Sequence, residues 1–151
     1  MGSGAANADT VRGLYTPIAP DYDELWAPLL RAFGLRLLVG VPLWSAERVL
    51  DLGCGVGKLL PDIAERAPGA VVVGCDLTEA MLRVAPGRFP RVAMDCTRSA
   101  FAGETFDVVV STFMLFHVPR PGDALVATRG SMRPEDASRS PCGEPASPSR
   151  R

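Results

Sequence analysis

Residues 51–57 read DLGCGVG, one acidic residue and then three glycines at alternate positions. Asp51 sits inside the apolar run that leads into the glycines, and two more acids, Asp76 and Asp95, each end a later apolar stretch. Ser111 ends a fourth such stretch. Hydrogen-bond acceptors at the ends of apolar segments, set beside a glycine turn that lets backbone approach closely, suit the binding of a small polar molecule. His117 is the single histidine, and its ordinary pKa suits a general base near neutral pH. The alternative for His117 is a rim residue that hydrogen-bonds to backbone.

The glycine loop does not fit two common ligands. A phosphate-binding loop needs GxxxxGK[ST], but Leu59 follows Gly57-Lys58 and Leu52 stands five residues before Gly57. A dinucleotide fingerprint GxGxxG started at Gly53 would place its third glycine at Lys58. That weakens a nicotinamide reading without removing it, since glycine patterns vary. What stands in the chain is Asp-x-Gly-x-Gly-x-Gly.

The elements that position these residues alternate in type. Tyr22, Leu25, Trp26, Leu29, Leu30 and Phe33 recur at three- and four-residue steps, which predicts a helix over 21–33 capped by Asp21 and stopped by Gly34. Strands are expected at ERVLDLG, VVVGCD, RVAMD and FDVVVST. Helices are expected at 58–67, with Pro61 in the first turn, and at 78–84, capped by Thr78. Such alternation implies an α/β fold, a doubly wound parallel sheet with helices on both faces. Ligands of these sheets collect beyond the carboxyl ends of the strands, where Asp51, Asp76, Asp95 and Ser111 fall.

The bulk composition narrows the field further. The chain has 151 residues, 47% hydrophobic, with a net charge of -1, which fits one globular domain and gives no electrostatic case for nucleic acid. No apolar run is long enough for a membrane span, and the N-terminus lacks the layout of a secretion signal, so the cytoplasm is the default. Cys54, Cys75, Cys96 and Cys142 form no CxxC pair, so neither a metal site nor a thiol–disulfide motif is expected. Residues 1–14 read as a flexible N-terminus, 15–130 as the domain, and 131–151 as a disordered tail rich in Ser, Pro and Arg.

VLDLGCGVG, VVVGCDLTEAML, VAMDCTRSAF and FDVVVSTFMLFHV together resemble the successive motifs of class I S-adenosylmethionine-dependent methyltransferases. The nearest subgroup is the small-molecule enzymes that include the ubiquinone and menaquinone biosynthesis methyltransferases. The resemblance implies a Rossmann-like fold and S-adenosylmethionine as cofactor. Gly53, Cys54, Gly55 and Gly57 would form its loop, and Asp51 would orient that loop and the amino-acid end of the cofactor. Asp76 would accept from both ribose hydroxyls, and Leu77 and Met81 would flank the adenine. Asp95 and the Cys96 backbone N–H would meet the adenine edge, and Ser111 would border the methionine end. Asp51 as a local cap, Asp95 as an ordinary Asx turn, and Leu77 and Met81 as core stay open. His117 follows strand four, where relatives face a small-molecule acceptor. Tyr15 and Tyr22 resemble a helix that lids the cofactor, or merely pack.

Relatives continue past strand four in a sheet of order 3-2-1-4-5-7-6, whereas this chain reaches Arg133-Pro134 and then the Ser/Pro/Arg segment. The expectation is a chain truncated after strand four, its open edge exposing Val108, Val110 and Phe113 and inviting self-association. Two functions follow. One is a small-molecule methyltransferase; the other is a non-catalytic fragment that binds cofactor weakly or works only with a partner chain. The acceptor, and whether oxygen, nitrogen or carbon is methylated, cannot be read from these residues.

Overall fold

The computed structural model describes residues 8–98 and 101–134. Its centre is the run RVLDL, β1 (Arg48–Leu52), in which every residue after Arg48 is buried. A strand apolar on both faces is stable only between two covering layers. β2 (Val71–Asp76), β3 (Arg91–Ala93) and β4 (Val108–Val110) complete a parallel sheet in the order β3-β2-β1-β4. This is the expected Rossmann-like arrangement.

Side chains alternate across the sheet. Val49 joins Leu60, Ile63, Val72 and Val110 in one cluster, while Leu50 and Leu52 join Cys75 and Phe106 in the other. The register pairs Leu52 with Cys75, Asp51 with Val110 and Asp76 with Ala93. The carboxyl ends of the four strands are thereby brought level, and the acids with them.

Three helices precede β1: α1 (Ala8–Tyr15), α2 (Ala19–Leu25) and α3 (Ala27–Leu37). α4 (Leu60–Arg66) follows β1, α5 (Glu79–Val84) follows β2, and α6 (Pro121–Ser131) follows β4. α4 carries Pro61 in its first turn, where no N–H bond is lost, and buries Leu60 and Ile63. Lys58 and Leu59, expected inside it, form the turn before it.

The single helix expected over 21–33 is two helices, broken at Trp26. Pro28 has no N–H for the carbonyl of Glu24, and its ring crowds that carbonyl, so the helix restarts with Pro28 in the first turn of α3. α2 begins at Ala19 rather than Asp21, with Pro20 in its own first turn. The buried face also differs. Ala19, Ala27 and Gly34 point inward, whereas Leu25, Trp26, Leu29 and Phe33 are about half or more exposed. Gly34 does not stop the helix. A Cβ there would lie 2.5 Å from Leu59 Cδ1, so the glycine lets α3 rest directly on Leu59.

Residues 8–14 and 131–134 are more structured than their composition suggests. Residues 8–14 of the expected flexible segment belong to α1, with Val11 buried, while residues 1–7 lie outside the described residues. At the other end Ser131 is buried and Met132 bridges to Phe106. Arg133 bonds Glu47 at 2.9 Å and Asp107 at 3.0 Å, and Asp107 in turn accepts from the Glu47 and Arg48 N–H groups. Those contacts extend the domain past residue 130. Residues 135–151, Cys142 among them, lie outside the described residues. β4 lies at the edge of the described sheet, but Val110 is buried and Val108 packs against the same core. Strand side chains point at the sheet faces, so an open edge bares backbone rather than valines. Phe113 is exposed as expected.

Ile63 is fully buried and Leu125 of α6 is 57% exposed. In urea unfolding, Ile63→Ala is expected to lose about 2–5 kcal/mol, and Leu125→Ala to stay within about 0.5 kcal/mol of the parent.

Candidate functional site

The glycine loop is locked to the sheet by two neighbouring strands. The N–H groups of Gly53 and Cys54 both donate to the Cys75 carbonyl, at 2.8 and 2.9 Å, where β2 runs beside β1. Asp76, one residue on, accepts the Gly55 N–H at 2.9 Å through Oδ2 and the Thr78 N–H at 2.8 Å through Oδ1. One carboxylate thus ties the loop to the start of α5, and it replaces the side-chain cap expected of Thr78, which makes none. Gly53, Gly55 and Gly57 have φ of +79°, +55° and +70°, a backbone region that side chains disfavour.

Above this loop lies a cavity of about 360 Å³, within the range of small-molecule sites. Of the residues expected to bind a cofactor, Gly53, Cys54, Gly55, Asp76, Leu77, Met81, Asp95 and Cys96 line it, and His117 faces it from the turn after β4. Asp51, Gly57 and Ser111 do not line it. Gly57 is required by packing, since a Cβ there would come within 2.9 Å of Ala85 Cβ and Leu60 Cδ1. Asp51 and Ser111 sit at the ends of paired strands, and Asp51 Oδ1 and Ser111 Oγ are buried without a hydrogen-bond partner. Unpartnered buried oxygens are uncommon and point to a missing ligand or water.

The electrostatics follow from burial. Asp51 is 1% exposed. Loss of water, and then the charge of Asp76, push its carboxyl up to about 7. Burial raises Asp76 as well, against the Thr78 and Gly55 N–H bonds and the nearby His117. Burial also pushes up the Cys54 and Cys75 thiols, Cys75 to about 12, which leaves both as inert packing groups. Asp95 behaves otherwise. Burial would raise it, but the Thr97 N–H and hydroxyl both donate to Oδ1, at 2.9 and 2.8 Å, and hold it below the usual range. The Asx turn, one of the two readings left open for Asp95, is therefore present.

His117 Nε2 shares a 2.8 Å hydrogen bond with the hydroxyl of Tyr15, which in turn stacks edge-on against Tyr22. Burial lowers the His117 pKa despite the pull of Asp76, so the imidazole is neutral at pH 7. Tyr22, desolvated beside Tyr15 and Asp76, is raised to about 12 and remains protonated. Lys58, just past the loop, bonds Asp23 of α2, and Arg31 of α3 bonds Asp62 of α4, and both cations line the same opening. Met94, Thr97 and Met114, which no sequence pattern singles out, line the cavity too, as does Phe113, expected only as an exposed edge residue. The spacing Asp95-x-Thr97 was the available signal for an Asx turn. Met114 packs where a Cβ on Gly53 would go, 2.5 Å away, a contact no local pattern announces. Among the described residues no helix is long and apolar enough to cross a membrane.

The family described as Methyltransferase domain matches residues 50–136, the glycine loop through Arg133-Pro134. This chain belongs to that methyltransferase family. It is 41% identical over 96 residues to a ubiquinone biosynthesis O-methyltransferase of Hahella chejuensis, covering 58% of this chain and 40% of that enzyme. It is 33% identical over 150 residues to a demethylmenaquinone methyltransferase of Thermus thermophilus, covering 82% of this chain and 67% of that one. Among solved structures it resembles an S-adenosylmethionine-dependent methyltransferase from Archaeoglobus fulgidus, with TM-score 0.59 and 27% identity over 74% of this chain and 54% of that chain. The chain spans about half the length of the curated relatives it matches.

The native Asp51 carboxyl holds its proton to higher pH than the unfolded chain does, from the ordinary 3.8 up to about 7. Native protein therefore binds the extra proton in that window. The stability this group contributes falls as pH rises through the window and is level above it. Relative to Asp51→Asn, the parent should lose on the order of 4 kcal/mol between pH 4 and pH 8, read from urea midpoints across that range. A gap that does not change with pH would place Asp51 in water.

Proposed function

We propose that this protein binds S-adenosylmethionine and transfers its methyl group to a small-molecule acceptor. The observation that carries the reading is the cavity lined by the glycine loop and Asp76, with two buried, unpartnered oxygens, Asp51 Oδ1 and Ser111 Oγ, each one residue along the chain from a lining residue, Leu52 and Thr112. Family membership supports the same reading. Asp76, Asp95 and the glycine-loop backbone are anionic or uncharged, and the lining cations Arg31, Lys58 and Arg120 are each paired with a carboxylate, which suits an ammonium, two hydroxyls and an adenine better than a polyphosphate.

When bound, S-adenosylmethionine supplies a sulfonium methyl group that is open to in-line displacement. Asp76 keeps lone pairs beyond those used by Gly55 and Thr78 and would accept from the ribose hydroxyls. Asp51 and Ser111 would meet the amino-acid end. Leu77 and Met81 would flank the adenine, Met81 on a bed of Val56, Ala19 and Ala27. Asp95 would turn its remaining acceptor capacity toward the adenine edge beside the Cys96 N–H.

His117 would take a proton from the acceptor. For Nδ1 to be the basic nitrogen, Nε2–H must donate to the Tyr15 oxygen; the hydroxyl serves either tautomer, so Tyr15 orients the ring without fixing the proton. Catalysis beyond this is positioning of the acceptor against the methyl carbon. The fragment reading gains no separate support from the relatives.

Calorimetric titration with S-adenosylhomocysteine tests the cofactor site. Asp76→Ala should weaken binding at least about tenfold while the far-ultraviolet circular dichroism stays native, and unchanged affinity in a folded sample rejects the assignment. His117→Ala should keep cofactor affinity and lose about 10²- to 10⁴-fold in kcat. A loss confined to KM would make His117 a rim residue.

A further inference from the structure

We propose that Arg91, which does not line the cavity, is a positioning residue for the adenine end of the cofactor. The inference rests on the S-adenosylmethionine reading above and deepens it. In that reading the adenine meets two stretches of wall. Leu77 and Met81 stand just before and within α5, and Asp95 with Cys96 stands just past the end of β3. Arg91 begins β3 and reaches to the last turn of α5, so one side chain joins the element behind each stretch.

The need for such a link follows from Pro86. In a continuing helix the Leu82 carbonyl would accept the N–H of residue 86, but a proline has none. Ala85, which closes α5, is extended, so the left-handed turn that often satisfies the last carbonyls of a helix does not form. Arg91 Nη1 supplies the donor instead. It bonds the Leu82 and Ala85 carbonyls, each at 2.7 Å. A guanidinium is always charged, and charge-assisted bonds are stronger than neutral ones. α5 has six residues, too few to hold a helix in water without outside contacts. Asp76 holds its start through the Thr78 N–H, and Arg91 holds its end.

That end of α5 is also where the helix meets the glycine loop. A Cβ on Gly57 would come within 2.9 Å of Ala85 Cβ and 3.2 Å of Pro86 Cδ, so the helix end rests on the last glycine. One turn back, the Met81 carbonyl accepts the Ala85 N–H at 3.2 Å, and the Met81 side chain lines the cavity against Val56. Removing Arg91 would deprive the Leu82 carbonyl of the donor that Pro86 cannot give, and free this turn to shift with Met81. The other wall would stay. The Met94 N–H donates to the Asp76 carbonyl at 2.9 Å, which fixes the end of β3 to β2 without Arg91. Asp76 keeps its own bonds to Gly55 and Thr78. The expected damage is therefore confined to the adenine contact and spares the ribose and amino-acid contacts.

The test compares S-adenosylhomocysteine with S-ribosylhomocysteine, which keeps the ribose and the amino acid and lacks the adenine. Arg91→Gln should weaken the first about tenfold and leave the second within about twofold of the parent. Equal losses for both ligands, or no loss for either, overturn the inference, since a merely structural role would not separate them. Should Arg91→Gln lose its native circular dichroism, Arg91→Lys is read with the same pair of ligands, with a loss of about threefold expected for S-adenosylhomocysteine alone. A second readout needs no ligand. In spectra of the chain carrying ¹³C-methyl methionine, Arg91→Gln should move the Met81 methyl signal, assigned through Met81→Leu, and leave that of Met132 in place. An unmoved Met81 signal overturns the inference too. Titration of the parent with S-adenosylhomocysteine is read first. If it fails, the cofactor reading fails by itself, and the methyl spectra still decide whether Arg91 places Met81.

Discussion

Two carboxylates, Asp51 and Asp76, stand at the ends of adjacent strands with no lysine or arginine paired to either among the described residues. Burying an acid that way is unfavourable, and burial pushes both groups toward their protonated forms. Asp76 recovers part of the loss from two backbone N–H bonds. Asp51 Oδ1 recovers none. A positively charged, hydrogen-bonding ligand would relieve both acids at once, which is the physical sense in which this site is built for a cofactor with an ammonium and a pair of hydroxyls.

The rest of the architecture keeps those acids in place. β1 must be apolar on both faces, so Asp51 can only sit where that strand ends at the glycine turn. The turn reverses sharply enough for two consecutive N–H groups to reach one carbonyl, that of Cys75. Gly74 serves the same joint from the β2 side, because a Cβ there would come within 2.8 Å of Cys54 Sγ. α3 closes the assembly by resting Gly34 on Leu59, two residues past the loop.

Much of this was legible in the sequence because it is local. Strand ends, the glycine turn and Asp76 follow from a period of two and from φ requirements that only glycine meets easily. The residues around Asp95 allowed an Asx turn without requiring one, and Thr97 at its oxygen makes it. Helical periodicity over 21–33 marked a real apolar stripe but not which side is buried. There the decisive contacts are made by small residues, Ala19, Ala27 and Gly34, whose worth lies in closeness rather than hydrophobicity. The roles of Gly57 and Met114 were hidden for a similar reason, since both depend on residues distant in the chain. Composition likewise understated Val11, which is buried, and Arg133, which is held by Glu47 and Asp107 far back in the chain.

The most direct measurement of the central claim is the number of protons exchanged when S-adenosylhomocysteine binds, obtained by calorimetry at pH 6 in buffers of different ionisation enthalpy. If Asp51 waits protonated for an ammonium partner, binding at pH 6 releases close to one proton, and the release fades above about pH 8. Tight binding with no proton released at pH 6 would contradict the account, because the buried acid would then be charged before any ligand arrives.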